Sequence, residues 1–333
     1  MARNRSTSVQ RRRLTFVVLL GVLTLTLAAC VKFAAPQSLP PTATATPPTP
    51  ADVETNVSRE PPPNESCNPS LTLRPTELPE AGKMAPNTTM AAIHGRGRLI
   101  VGLDIGSNPF SFRDPLSGDI KGFDVDIARE IARAIFNSPD RVEYRVLSSA
   151  DRIEALRSNT VDVVVKTMSI TCDRMRDVNF SAPYYVASQR ILALRDSTIE
   201  DAEDLAGQRV CAARGVTSIG RLQQLVPSVK MVETTTWADC LVLLQQGEVV
   251  AVSTDDAILA GLAIQDPWLK VVGPGLGTEY YGVGIPRGQD DMVRFVNAVL
   301  ASITVNGRWQ QIYNEWLSVL GPQYIAPQPI YRD

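Results

Sequence analysis

Short apolar segments alternate with amphipathic segments between residues 96 and 320. Seven of them have the composition of strands: LIVGLDI (99–105), RVEYRVL (141–147), VDVVVK (161–166), QRILALR (189–195), QRVCAA (208–213), VVAVST (249–254) and YYGVGI (280–285). Between them apolar residues recur at helical spacing, as Phe123, Ile127 and Ile131 do in the helix that Asp124 is expected to cap. This alternation predicts an α/β fold with mainly parallel sheets, and its length suits two lobes better than one.

The first 29 residues have the organisation of a secretion signal. Five arginines in residues 3–13 precede an apolar run over residues 14–29, which is shorter than the ~20 residues of a membrane-spanning helix. The run ends in LAAC (27–30), which resembles a bacterial lipobox, where cleavage leaves a lipid-modified Cys30 as the first residue. We therefore expect a lipoprotein signal peptide over residues 1–29. An ordinary secretory signal, an uncleaved anchor and a twin-arginine signal are the alternatives.

Residues 30–92 are predicted to be a proline-rich stalk. The segments PQSLPPTATATPPTP (36–50) and PPP (61–63) are typical of extended, stiff chains, which would hold a domain clear of the membrane. A ligand for proline-binding modules is the alternative. Loss of the signal peptide removes five arginines and changes the formal net charge from −2 to −7. Such a chain has no electrostatic footprint for nucleic acid.

If the first cysteine carries lipid, four cysteines remain, and an even number in an exported chain favours disulfides. Three pairings are possible. We prefer Cys211–Cys240, within one lobe, and Cys67–Cys172, which would pin the base of the stalk to the other lobe. Buried free thiols and a zinc site are alternatives, although the spacings are wide and His94 is near no cysteine in sequence. We expect no metal and no cofactor.

Polar side chains lie at the ends of several predicted strands, where ligands sit in open α/β sheets. These residues are Asp104, Ser107, Lys166, Thr167, Ser169, Arg190, Arg214, Thr217, Ser218, Asp255 and Asp256. A ligand carboxylate would need a forked arginine donor and a helix start such as RGVTS (214–218), and an ammonium would need an acid such as Asp255 near a hydroxyl such as Ser169. Individually, each residue could instead cap a helix or turn, point into water or pair with a neighbour.

Six segments together resemble the extracytoplasmic polar amino-acid-binding proteins of ABC importers, in particular actinobacterial glutamine/glutamate-binding lipoproteins. The segments are GFDVDIA (122–128), NTVDVVV (159–165), SITCDRMRDVNFSAPYY (169–185), DLAGQRVCAARGVTS (204–218), STDDAILAG (253–261) and YYGVGIPRG (280–288). The resemblance implies a two-lobed, periplasmic-binding-protein-like (type II) fold with two crossing hinge strands, near residues 185–188 and 277–281. The expected domains are lobe 1 at 96–184 and 282–320, lobe 2 at 189–276, and a C-terminal tail at 321–333.

The resemblance also implies roles for individual residues in an amino-acid site. Arg174 would grip the α-carboxylate, and the Ser169 hydroxyl would lie near both the ammonium and the carboxylate. The backbone carbonyl of Thr167 would accept from the ammonium, which Asp255 would also bind. Thr217 would donate its amide to the carboxylate.

Some positions depart from the pattern of that family and change the expected ligand. Asp104 matches a contact seen in glutamine binders, but Ser107 and Ser149 stand where aromatic residues are common, and Lys166 where a small residue is. Fewer aromatic and more cationic side chains favour a ligand with a second carboxylate, bound by Lys166 or Arg190. We therefore expect glutamate or aspartate first, with asparagine or glutamine possible.

The resemblance implies a binding protein, not an enzyme. It would capture the amino acid as a lipid-anchored monomer on the extracytoplasmic face of the cell membrane, and deliver it to an ABC permease. One alternative is a sensor that reports amino-acid levels to a membrane receptor. Another is a cyclohexadienyl-dehydratase-like lyase, which needs a general acid in the cleft that only Asp104 or Asp255 could supply.

Overall fold

The computed structural model describes residues 48–58, 67–321 and 325–333, and these form fourteen strands and nine α-helices. The strands are β1 Glu54–Val57, β2 Leu71–Leu73, β3 Leu99–Leu103, β4 Gly106–Ser107, β5 Ser111–Arg113, β6 Ile120–Lys121, β7 Val142–Val146, β8 Val163–Val164, β9 Val178–Leu194, β10 Arg209–Ala213, β11 Lys230–Thr234, β12 Ala251–Asp255, β13 Leu269–Pro286 and β14 Ile330–Arg332. The helices are α1 Thr89–Arg96, α2 Phe123–Phe136, α3 Arg152–Arg157, α4 Cys172–Asp177, α5 Ser218–Leu225, α6 Trp237–Gln245, α7 Asp256–Gln265, α8 Asp290–Val305 and α9 Arg308–Trp316.

The expected signal peptide, Cys30 and the first part of the expected stalk lie outside the described residues. Within the described ranges, none of the helices has the length and apolar character needed to cross a membrane.

One sheet of nine strands, in the order β1-β11-β10-β12-β9-β13-β8-β3-β7, extends through the chain. At one end β10 lies parallel to β11 and β12, and at the other β3 lies parallel to β7 and β8. The long strands β9 and β13 run antiparallel between these two ends, with Tyr185 opposite Tyr281. The alternating pattern therefore predicted the parallel strands correctly, and the antiparallel pair makes the sheet mixed.

Two large hydrophobic cores lie on the two sides of this long pair. We call lobe one the part built on the core that contains Phe123, Tyr184 and Trp309, and lobe two the part built on the core that contains Leu222 and Met231. Because β9 and β13 each contribute to both parts, the chain has the predicted two-lobed α/β fold. The predicted crossings, residues 185–188 and 277–281, pair with each other in this ladder.

Two local predictions need correction. Helix α2 has Gly122 as its N-cap residue, and Asp124 lies inside the helix, fully buried. The predicted strand at 161–166 is reduced to Val163–Val164, because the chain turns at Thr167, whose φ of 40° lies in the left-handed region.

Parts of the expected stalk and of the expected tail form strands and a helix that contact the lobes. Strand β1 pairs with β11 at the edge of lobe two, and β2 pairs with β14, which lies in the expected tail. Helix α1 begins at Thr89, where the side chain of Thr88 accepts a hydrogen bond from the Ala91 amide. Strands of three or four residues that pair with distant partners have no strong local pattern. The neighbouring prolines therefore led to the prediction of an extended stalk.

The structure contains the preferred disulfides, Cys67–Cys172 and Cys211–Cys240. The second lies within lobe two, where both cysteines are fully buried. The first closes a separation of 105 residues and fixes the N-terminal segment to α4. Each such bond typically stabilises a fold by ~2–4 kcal/mol.

The two lobes touch each other closely at two glycines. A Cβ on Gly261 of α7 would lie 1.6 Å from the carbonyl oxygen of Asn108 in lobe one. A Cβ on Gly215, which follows β10, would lie 2.7 Å from Ala150 Cα. Since backbone atoms stand in both places, only glycine permits this approach. The lobes are therefore in a closed arrangement.

Candidate functional site

A small cleft lies between the lobes, beyond the ends of β8, β10 and β12, with about 260 Å³ of empty space. Its lining residues are Ser149, Arg152, Thr167, Ser169, Arg174, Val216, Thr217, Ser218, Trp237, Thr254, Asp255 and Ile258. Five predicted site residues are therefore brought together here: Thr167, Ser169, Arg174, Thr217 and Asp255. Three others, Asp104, Lys166 and Arg190, do not line the cleft.

Arg174 reaches across the cleft from lobe one. It lies in the first turn of α4, where its amide donates to the Thr171 hydroxyl that caps the helix. Its Nη1 donates to the Ser169 carbonyl at 2.8 Å, and its Nη2 donates to the Gly215 carbonyl of lobe two at 3.0 Å. Burial lowers the pKa of Arg174, although the nearby acidic groups oppose that effect. A guanidinium stays protonated at neutral pH, so this position carries a full positive charge.

Arg152 is a second cation in the cleft, and the sequence analysis missed it. Its residue is 2% exposed, and its Nη2 donates to the same Gly215 carbonyl at 3.2 Å. Its Nε donates to the Ser149 carbonyl at 2.8 Å, and its Nη1 donates to the Lys166 carbonyl at 3.1 Å. Burial, with the charge of Arg174 acting in the same direction, lowers the pKa of Arg152 to about 9. The guanidinium therefore remains charged at neutral pH, and within the described ranges the acceptors of its hydrogen bonds are carbonyl oxygens.

Asp255 is the acid of the cleft, at the end of β12 and 5% exposed. Tyr281 donates its hydroxyl to Oδ2, whereas Oδ1 is buried without a hydrogen-bond partner. Burial, followed by the negative charge of Glu279, raises the pKa of Asp255 to about 8. An unsatisfied buried carboxylate oxygen costs free energy. A ligand cation would supply the missing donor.

The backbone at Thr167 is held by a buried carboxyl group. Asp124 Oδ2 accepts from the Thr167 amide at 2.9 Å, and Asp124 Oδ1 accepts from the Tyr184 hydroxyl at 2.7 Å. Burial raises the pKa of Asp124 to about 6, although these two hydrogen bonds oppose the change. The Thr167 carbonyl accepts from Arg152 at 3.3 Å. Asp124 thus fixes the strained turn that places Thr167 and Ser169 at the cleft.

The wall from lobe two combines the start of a helix with an aromatic face. Thr217 is the N-cap residue of α5, its side chain makes no capping bond, and the residue lines the cleft. Trp237, buried at the start of α6, also lines it. Ser107 and Ser149 stand where aromatic residues are common in the family, and the opposite lobe supplies an aromatic residue instead.

Lys166 forms a salt bridge with Asp104. Its Nζ lies 2.7 Å from Asp104 Oδ2, which also accepts from the Ser107 hydroxyl at 2.7 Å. Burial alone would raise the pKa of Asp104, but the ammonium of Lys166 brings it below the ordinary value. The pair is therefore internally neutral.

Arg190 is also placed away from the cleft. It lies in β9, opposite Thr254, and its Nε donates to the Val272 carbonyl at 3.3 Å. The structure thus offers Arg152, rather than Lys166 or Arg190, as the second cation.

One rule of the sequence analysis could have found Arg152. It follows β7 just as Arg174 follows β8, and Ser149 beside it had already been noticed. What the sequence does not show is that α3 turns this arginine inward. The described residues contain no group of three or more His, Cys, Asp or Glu side chains placed to hold a metal ion.

Comparisons with known proteins match the part of the chain that contains the cleft. The profile of bacterial extracellular solute-binding proteins, family 3, matches residues 99–319, which include every lining residue. The ABC transporter glutamine-binding protein GlnH of Bacillus subtilis is 32% identical over 239 residues, covering 72% of this chain and 88% of that protein. The glutamate-binding protein GluB of Corynebacterium efficiens is 31% identical over 240 residues, covering 68% and 80%. The solute receptor for L-cysteine of Neisseria gonorrhoeae matches with a TM-score of 0.67 and 28% identity, covering 69% and 94%.

The raised pKa of Asp255 predicts a pH-dependent cost to the fold. The folded state binds the Asp255 proton more tightly than the unfolded state does. The contribution of this proton to the free energy of unfolding is therefore complete below pH ~4 and is lost as the pH rises towards about 8. We expect Asp255→Asn, which removes the ionisable group, to raise the free energy of unfolding at pH 8. The gain should be on the order of 2 kcal/mol, because opening of the lobes limits the cost of ionising Asp255. The gain should shrink towards pH 5.

Thermal unfolding at several pH values measures this effect. The exposed Asp119→Asn is the matched control, and it should show no gain that grows with pH. An equal effect of Asp255→Asn at pH 5 and pH 8 would contradict the assignment.

Proposed function

Because the chain belongs to the bacterial extracellular solute-binding proteins of family 3, we propose that its cleft binds an acidic amino acid, glutamate or aspartate, with asparagine or glutamine bound more weakly. The observation that carries this proposal is the composition of the cleft. Two guanidinium groups, on Arg152 and Arg174, meet there with one unpartnered carboxylate oxygen, on Asp255. A dicarboxylic amino acid has two carboxylates and one ammonium, which match these groups in number, and the charge of the ammonium favours the ionised form of Asp255.

Each polar group of the ligand then has a protein partner. The α-carboxylate binds Arg174 and the helix start at Thr217, and the ammonium binds Asp255 and the Ser169 region. The side-chain carboxylate binds Arg152, since forked donors suit carboxylates. The Gly215 carbonyl accepts from both arginines. Ligand carboxylates add the negative charge that this neutral acceptor lacks.

Selectivity for an acid over an amide follows from the charge of Arg152. A neutral amide leaves this buried guanidinium without a counter-charge, and an unpaired buried charge typically costs ~2–5 kcal/mol. The relatives are named for both kinds of ligand, glutamine for one and glutamate for another. Lys166, which is paired with Asp104, contributes to the site indirectly, because its carbonyl accepts a hydrogen bond from Arg152 and helps to orient it.

Ligand binding favours the closed form. Arg152, Arg174 and Ser169 belong to lobe one, whereas Thr217, Trp237 and Asp255 belong to lobe two. A ligand that contacts both sets has more interactions when the lobes are together, and it shifts the population by that difference. The closed surface is then the signal that a membrane partner can recognise.

Calorimetric titration with glutamate, aspartate, glutamine and asparagine tests the proposal. We expect glutamate or aspartate to bind the wild type most tightly. Arg152→Gln should weaken the acids about 30-fold or more, corresponding to ~2 kcal/mol, and change the affinity for the amides much less. Arg190→Gln is the matched control, because that arginine lies outside the cleft. Tightest binding of glutamine, or equal losses for acids and amides, would reject the acidic ligand.

We also propose that the protein binds its ligand while anchored at the membrane surface. A lipid on Cys30 would anchor it to the extracytoplasmic face, and a relative is named as part of an ABC transporter; we extend both properties to this chain as proposals. Capture of the intact lipoprotein from membranes with bound glutamate should recover an ABC permease. Cys30→Ala should release the protein from the membrane fraction. Recovery of a receptor without a permease would favour the sensor over the importer.

A further inference from the structure

The N-terminal segment is attached to both lobes, next to both walls of the cleft. We define the strap as residues 49–58 together with residues 67–74. Its first part contains β1, which pairs with β11 of lobe two. Its second part contains Cys67, which is bonded to Cys172 of lobe one, and β2.

The anchor on lobe one is covalent and lies beside a ligand residue. Cys172 is the first residue of α4 and precedes Arg174 by two positions. The strap continues along this lobe, where Thr72 donates its hydroxyl to the Phe180 carbonyl at 3.3 Å. Asn297 Nδ2 donates to the Leu73 carbonyl at 2.7 Å. This end of the strap is therefore fixed to the wall that carries Arg174.

The anchor on lobe two lies beside the other ligand wall. Arg214 directly precedes Gly215, the residue whose carbonyl faces both arginines of the cleft. Its Nη2 lies 2.7 Å from Glu54 Oε1 and donates to the Asp52 carbonyl at 3.2 Å. The strap thus contacts the loop at 214–218 just where that loop begins.

The strap also holds the helix that follows this loop. Gln223 of α5 donates its Nε2 to the Val57 carbonyl at 2.7 Å, and Val53 and Val57 pack against the core of lobe two. A strand that only covered the open edge of β11 would need no contact with Arg214 or Gln223. These contacts point to a role in placing the loop between them.

We propose that the first part of the strap, residues 49–58, is a positioning element for the binding site, which holds the 214–218 loop of lobe two in place for its contact with the Arg174 wall of lobe one. The hydrogen bond from Arg174 to the Gly215 carbonyl joins the two anchored walls. A 214–218 loop that is held in place for this bond raises the fraction of molecules in the closed form. The measured dissociation constant rises as that fraction falls. This inference rests on the proposed function, since its benefit is tighter binding of the amino acid.

Two variants detach the first part of the strap without changing a cleft residue. In the full mature chain, Val53→Asp with Val57→Asp removes the apolar contacts, and Thr55→Pro disturbs the pairing of β1 through the backbone. Val305→Asp, at an exposed valine of α8, and Thr55→Val are the matched controls. Hydrogen exchange of the amides at 214–218 is measured without ligand, and the affinity for L-glutamate by calorimetry.

We expect both strap variants to exchange the 214–218 amides about tenfold faster than the controls do, as a locally destabilised loop would. The affinity for L-glutamate should fall about fivefold through the smaller closed fraction. Unchanged exchange at 214–218 in both strap variants would overturn the proposal. If the wild type binds none of the four amino acids, the proposed function fails, whereas the exchange comparison still decides whether the strap positions the loop.

Discussion

The carbonyl oxygen of Gly215 accepts hydrogen bonds from two arginines of the opposite lobe, Arg152 and Arg174, and the site is organised around this convergence. Two positive charges close to each other repel, and burial removes the water that would screen them. A single neutral oxygen is a weak partner for both. We therefore propose that the closed cleft favours a ligand that brings negative charge, which would link the closure of the lobes to the chemistry of the ligand.

The fold supplies what this convergence needs. Glycines at 215 and 261 let the two backbones approach where a Cβ would collide. The buried Asp124 fixes the turn at Thr167, so that α4 and Arg174 begin at the right place. The Lys166–Asp104 pair neutralises a third cation, which leaves the two arginines as the cationic side chains that line the cleft among the described residues. Asp255 completes the lining of the cleft with a buried carboxyl oxygen, Oδ1, that has no hydrogen-bond partner within the described ranges.

Local pattern and motif order predicted much of this architecture, for identifiable reasons. Strands and helices alternate strongly, and Arg174, Ser169 and Asp255 occur in motifs that resemble a known family, so their place in the cleft was predictable. Arg152 was missed because its inward direction depends on how α3 packs. Lys166 was interpreted as a ligand contact because its pairing with Asp104, 62 residues earlier, exists only in three dimensions. Strand β1 was assigned to a stalk because its partner β11 is far away in sequence.

A crystal structure of the protein with bound L-glutamate is the most direct test of the account. The account predicts one carboxylate on Arg174, the other within hydrogen-bond distance of Arg152, and the ammonium on Asp255 Oδ1. A side-chain carboxylate bound to Lys166, or one that makes no contact with Arg152, would contradict it.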